Sequence, residues 1–328
     1  MDNDPNPSPP APGQTIVIER RARIGGFGVL IVLLLVLSVV INAFQASSSA
    51  LVPKRLSEQY VAGEAAPGVP KVAVVELDGI IIDGTVEHVL KQVRQAREDK
   101  QVRAVVLRVD SPGGTVTGSD RIWRELATLK AANKPIVASM GGLAASGGYY
   151  VSAPADAIYA EPTTITGSIG VIMEFPQLHA LLGKVGVDFE TITSGPWKDS
   201  GSLFRPMTAT ERARWQEMIN DAYNRFVRVV AQGRDLDLQP TKDLANGKVY
   251  TAREALRLKL VDRLGYLDDA LGEAQRRAKL KKARVIRYLK PSGLSEALQG
   301  LTAPPQGLML DEGALLRIQT PRMLFLAR

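Results

Sequence analysis

The sequence predicts an α/β fold with parallel strands and crossover helices, preceded by one transmembrane helix. Two observations carry the first half of that statement. Between residues 71 and 140, short apolar runs of strand type alternate with segments whose apolar residues recur at helical spacing. Strand, helix, strand, helix, strand implies parallel pairing with right-handed crossovers. The second half rests on residues 24–44, "IGGFGVLIVLLLVLSVVINAF", which no charge interrupts.

The elements follow in order. Residues 2–14, "DNDPNPSPPAPGQ", are proline-rich and polar and cannot bury a core, so residues 1–23 read as a disordered tail. The apolar run that follows approaches the roughly 20 residues a spanning helix needs. Arg20, Arg21 and Arg23 precede it, which puts the tail in the cytoplasm and the rest of the chain outside. A cleaved signal peptide is the rival reading, since "SSSA" offers small residues for cleavage, but signal-peptide cores run about 7–15 residues. A buried core helix is the third, and so long a charge-free run beside three arginines argues against it. Residues 45–70, with serine, alanine, proline and glycine around "KRLSEQY", read as a tether.

"KVAVVEL" (71–77), "RAVVLRV" (103–109) and "PIVASM" (135–140) are strands of buried type. The first crossover helix, 85–98, carries Val86, Val89, Leu90 and Val93 on one face; the second, 119–132, has Ser119 as its expected cap. Shorter strands are expected at 157–160, 170–173 and 189–193. A long helix spans 208–231, where Thr208 and Glu211 have capping-box spacing. Helices at 251–259 and 267–280 and a strand at 283–289 complete the ordered part. The tail, residues 291–328, gives no clear pattern.

Composition narrows the chemistry. With 45% hydrophobic and 23% charged residues, the 328-residue chain is globular rather than disordered. A net charge of +7 suits nucleic acid or an anionic membrane. Aromatics at 5%, with no basic run interleaved with stacking residues, argue against nucleic acid. The absence of cysteine removes disulfides, thiol catalysis and thiolate metal sites.

Ligands of parallel α/β folds gather beyond the carboxyl ends of strands. Two strands run into glycine-bearing loops there: "DSPGG" (110–114) and "GGLAASGG" (141–148). Acyl transfer needs a nucleophile beside backbone N–H groups that face the developing oxyanion. Ser146 offers the hydroxyl, Gly147 one amide, and Gly113 or Gly114 another. "SGGYYVSA" can form a short helix beginning at Ser146. Either loop alone also reads as a plain turn. No Gly-x-Ser-x-Gly elbow and no Ser-x-x-Lys is present, and His88 and His179 lie in no motif. A lysine serves as base if burial keeps it neutral, but position alone does not single out Lys198 among the cations.

The blocks "VDSPGG", "ASGGYYVSAPADAIYAEPTTITGSIGV", "SGPWKDSGS", "FRPMT" with "TER", and "GKVYTAREALRLKLVDRLG" occur in this order. In them the chain resembles the short form of the signal peptide peptidase A family, serine proteases of the Clp protease/crotonase-like fold. The likeness covers residues 71 to about 280 and makes residues 71–290 the protease domain. It implies a Ser/Lys dyad: Ser146 as nucleophile and Lys198 as general base. It implies that Ser168 positions the lysine amine and that Gly114 lines the oxyanion hole, with Gly147 a second donor from local geometry. It implies no metal or organic cofactor. It further implies a homo-oligomeric ring with sites shared between subunits, and hydrophobic peptide substrates such as remnant signal peptides. The anchor would then hold the domain on the outer, periplasmic or extracellular, face of the cell membrane. Asp110, Gly142 and Leu203 stand where many relatives have asparagine, serine and proline. Crotonase-type chemistry on an acyl-coenzyme A, and a non-catalytic membrane scaffold, are the two alternative readings.

Overall fold

A computed structural model describes residues 30–31, 33–39, 55–290 and 323–327. The expected tail (1–23), most of the expected anchor (24–44) and residues 291–322 lie outside the described residues. Residues 30–31 and 33–39 are helical and exposed. Among the described residues, no helix is long and apolar enough to cross a membrane.

The body, from residue 55 on, is built on one mostly parallel sheet. Its strands are β1 (Glu58–Gly63), β2 (Lys71–Asp78), β3 (Val102–Ser111), β5 (Ile136–Ala145), β6 (Ala157–Ala160), β9 (Arg263–Leu264) and β10 (Arg284–Tyr288), in the order β1-β10-β2-β3-β5-β6-β9. All neighbours in that path are parallel except β1, which pairs antiparallel with β10. Helix α1 (Asp83–Glu98) links β2 to β3, and α2 (Val116–Ala131) links β3 to β5. Side chains alternate across a strand, and here both faces are covered. Ala73, Val75, Leu77, Val105, Leu107 and Val109 join the core that holds Val86, Val89, Leu90 and Val93 of α1. Val72, Val74, Ala104, Val106 and Val137 join Ala270, Leu271 and Ala274 of α8 (Leu267–Arg277) on the opposite face.

Several expectations change at their edges. The segment read as a tether contributes β1, because the edge of β10 offers it a ladder. The cap of α2 is Thr115, whose Oγ1 accepts from the Gly118 amide; Ser119 is instead buried and donates its hydroxyl back to the Thr115 carbonyl. β5 continues past Met140 to Ala145 because a short strand, β7 (Ile165–Gly167), takes over as its partner where β6 ends. No strand forms at 189–193, where Phe189 and Ile192 stay exposed and no partner offers a ladder. Around 170–173 only Ile172 pairs, with Leu324. The capping box of Thr208 and Glu211 opens α5 (Ala209–Arg234) as expected.

Lys134 closes the α1–β3 corner. Its buried ammonium donates to the carbonyls of Ala96, Arg97 and Asp99 at 2.7, 2.8 and 2.7 Å. These are orphan acceptors at and just beyond the helix C-terminus, and burial pushes the lysine pKa down. Lys134→Met strands all three carbonyls. We expect a loss of about 2–3 kcal/mol in unfolding free energy, read from the denaturant midpoint.

Candidate active site

β5 delivers Ser146. The strand ends at Ala145, opposite Gly167 of β7, and the Ser146 amide donates to the Gly167 carbonyl at 2.7 Å. The serine then stands at φ +53°, ψ −113°, and α3 (Gly147–Ser152) starts from it. A non-glycine residue held in such a region costs on the order of 1–3 kcal/mol and persists only where its surroundings fix it. Here the β7 bond fixes one side and the Tyr150 amide, donating to the Ser146 carbonyl at 2.8 Å, fixes the other. Ser146 is 1% exposed, and its hydroxyl carries no hydrogen bond to another described residue.

The two glycine-bearing segments meet at this point, as the pairing of β3 with β5 requires. Gly113, at φ +100°, lies so close to α3 that a Cβ on it would sit 2.7 Å from the Gly147 amide nitrogen. Gly114 belongs to β4 (Gly113–Thr115), whose ends are bonded to Ile81: the Ile81 amide donates to Gly113 and its carbonyl accepts from Thr115. A Cβ on Gly114 would fall 2.2 Å from the Ile81 carbonyl oxygen, so only glycine fits. The backbones of 113–114 and of Gly147 thus lie beside one serine at the N-terminus of a short helix, an arrangement suited to an oxyanion.

Ser168 follows directly on β7, so it leaves the same pair of strand ends as Ser146. It is at φ +48°, is nearly buried, and donates its amide to the Lys248 carbonyl at 2.8 Å. It lines a cavity of about 460 Å³ with Tyr223, Asn246 and Leu326. Lys198 is elsewhere. It is exposed in a turn closed by its own amide on the Gly195 carbonyl, and it lines a separate cavity of about 270 Å³ with residues 199–204. The structure therefore brings Ser146, Ser168, Gly114 and Gly147 together and leaves Lys198 apart. His88 lines a cavity with Glu76 and Asp78, and His179 opens a short helix; no contact of either reaches Ser146.

Two family models match the chain: Clp protease over residues 69–164 and Peptidase family S49 over residues 128–281. A Synechocystis protein named as a protease is 44% identical over 200 residues, which cover 61% of this chain and 72% of that protein. The chain belongs to peptidase family S49. An Enterococcus faecium protein named as a signal peptide peptidase is 42% identical over 62% of this chain and 59% of its own length. The chloroplastic serine protease SPPA of Arabidopsis thaliana is 36% identical over 69% of this chain and 35% of its own length. Family membership makes the chain a serine endopeptidase.

Within this S49 domain, three groups escaped the sequence reading. Asp110 clips the serine strand: its carboxylate accepts from the Gly142 and Leu143 amides, both at 3.2 Å. Thr166 donates to the Ala144 carbonyl at 2.6 Å and locks β7 to β5. Arg205 pins the lysine-bearing loop, donating to both carboxylate oxygens of Asp199 (2.7 and 2.9 Å) and to Glu211 (2.6 and 2.9 Å). Spacing within "KDSGSLFRPMTATER" gives no sign of that triad, because each member is an ordinary surface residue type.

The Arg205 guanidinium holds the Asp199 carboxyl below its usual range and the Glu211 carboxyl down to about 2. A carboxyl whose folded pKa is depressed stabilises the fold above its ordinary value, and that contribution is lost as pH falls toward the folded value. Glu211→Gln should therefore lower the melting temperature near neutral pH, and the gap to the parent should shrink between pH 4.5 and about 2. Gly114→Ala forces β4 away from Ile81. Peptide hydrolysis should fall by on the order of 100-fold, the scale of losing one oxyanion donor.

Proposed function

We propose that this S49 peptidase is a membrane-anchored endopeptidase with a Ser146/Lys198 dyad. The observation that carries the proposal is the strained, buried Ser146 beside the backbones of Gly114 and Gly147. Ser146 Oγ attacks the scissile carbonyl carbon while the neutral Lys198 amine takes its proton. The amides of Gly114 and Gly147 bind the oxyanion. The lysine then protonates the leaving amine, and water releases the acyl group by the same route in reverse. The Ser168 hydroxyl orients the lysine amine.

Lys198 does not meet Ser146 within one chain, so the proposal includes a homo-oligomeric ring in which a neighbour supplies the base. Leu181, Val185, Phe189 and Ile192, all well exposed near Lys198, favour such a contact; Ile192 is 93% exposed. The charge-free run at 24–44 supports a single-pass anchor with its N-terminus in the cytoplasm and the domain on the outer face. Substrates are hydrophobic peptides such as remnant signal peptides, in keeping with the name of the Enterococcus relative.

The test uses the full-length chain in detergent and a fluorogenic peptide with a small or apolar residue at the cleaved bond. Ser146→Ala and Lys198→Ala should each cost on the order of 1,000-fold or more. Mixing the two inactive variants should restore part of the activity, because a shared site can then draw serine and lysine from different subunits. Full activity in either single variant overturns the dyad, and no recovery on mixing overturns the sharing. Activity should rise toward alkaline pH, where the base is neutral.

A further inference from the structure

Residues 323–327 form a strand against the proposed oxyanion segment. β11 (Leu324–Leu326) pairs antiparallel with β4, with Phe325 opposite Gly114. The ladder is extended at both ends: the Val116 amide donates to Met323 at 3.3 Å, and the Ala327 amide donates to Pro112 at 2.8 Å. On its other side, Leu324 exchanges two hydrogen bonds of 3.0 Å with Ile172. A five-residue stretch is thus held by backbone on both edges, between β4 and Ile172.

Three details tie this strand to the chemistry. The Phe325 carbonyl oxygen lies against Gly113, where a Cβ would come within 1.9 Å of it, and that same Cβ would lie 2.7 Å from the Gly147 nitrogen. The Phe325 ring is fully buried, stacked on Tyr150 at 5.1 Å and tilted against Phe226 at 4.6 Å. Leu326 lines the cavity that Ser168 faces. The wall of the aromatic pocket is itself fixed: the Tyr150 hydroxyl donates to Asp120, which also accepts from Arg225 at 2.9 Å.

We infer that residues 323–327 occupy the groove in which an extended peptide binds. In this reading, Tyr150 and Phe226 form the pocket for a large apolar side chain on the acyl side of the cleaved bond. The inference rests on Ser146, Gly114 and Gly147 being the reacting site. Strand addition to β4 binds any sequence through its backbone, and the pocket supplies the selection. The groove therefore prefers a peptide with phenylalanine or a similar residue at that place. The chain's own strand competes with such a peptide, so it holds the site closed until displaced.

The test is binding, read without catalysis. A fluorescently labelled peptide of residues 321–328, "PRMLFLAR", is titrated into the Ser146→Ala chain that lacks residues 323–328, and anisotropy is followed. Saturable binding is expected. It should weaken about tenfold or more when the peptide's phenylalanine becomes alanine, and also when the chain keeps its own strand. Equal affinity for both peptides, or no binding to a shortened chain with native circular dichroism, overturns the inference. If shortening costs the fold, the full chain carrying Ser146→Ala and Phe325→Ala takes its place. That chain should bind the labelled peptide more tightly than the chain with Ser146→Ala alone, and equal binding overturns the inference. Peptide binding together with a fully active Ser146→Ala enzyme would sink the dyad while leaving the groove standing.

Discussion

The bond from the Ser146 amide to the Gly167 carbonyl fixes the geometry of the whole site. It exists because β5 changes partners along its length. Val137–Met140 pair with β6, and Leu143–Ala145 pair with β7. Without that exchange the strand would fray at Gly141 and Gly142, and nothing would hold a serine at positive φ. Asp110 and Thr166 reinforce the crossing from the two flanking strands. Strain at Ser146 is thus sustained by ordinary ladder hydrogen bonds several residues away, which is how rigid scaffolds position reactive groups on otherwise mobile connections.

The sheet and its crossover helices were legible because both rest on local periodicity. Alternating valines in "KVAVVEL" and "RAVVLRV" and the helical spacing of Val86 to Val93 survive any tertiary context that covers both faces. Ser146, Gly147 and the 113–114 pair were legible from glycine placement at strand ends. The cap of the second crossover helix was misplaced because Thr115 and Ser119 both have capping chemistry and only burial separates them. β1, β7 and β11 depend on edges supplied by distant residues, and no local pattern announces such an edge.

Lys198 marks the limit of local reading from the other direction. Its position came from resemblance, and within one chain it stands exposed on a loop that Arg205, Asp199 and Glu211 brace from beneath. A loop braced on one side and bare on the other suits a contact whose second surface belongs to another molecule. The braces would then keep the amine's place while that surface forms.

The antiparallel β1–β10 pair has a topological consequence. The Leu289 amide donates to the Ser57 carbonyl at 2.9 Å, so the points where the chain enters and leaves the sheet are side by side. The body from 55 to 290 is nearly a closed ring of polypeptide. Joining its ends would close a gap of a few residues at little entropic cost, and the ring could be opened at an exposed loop elsewhere, giving a circularly permuted protein with the same sheet.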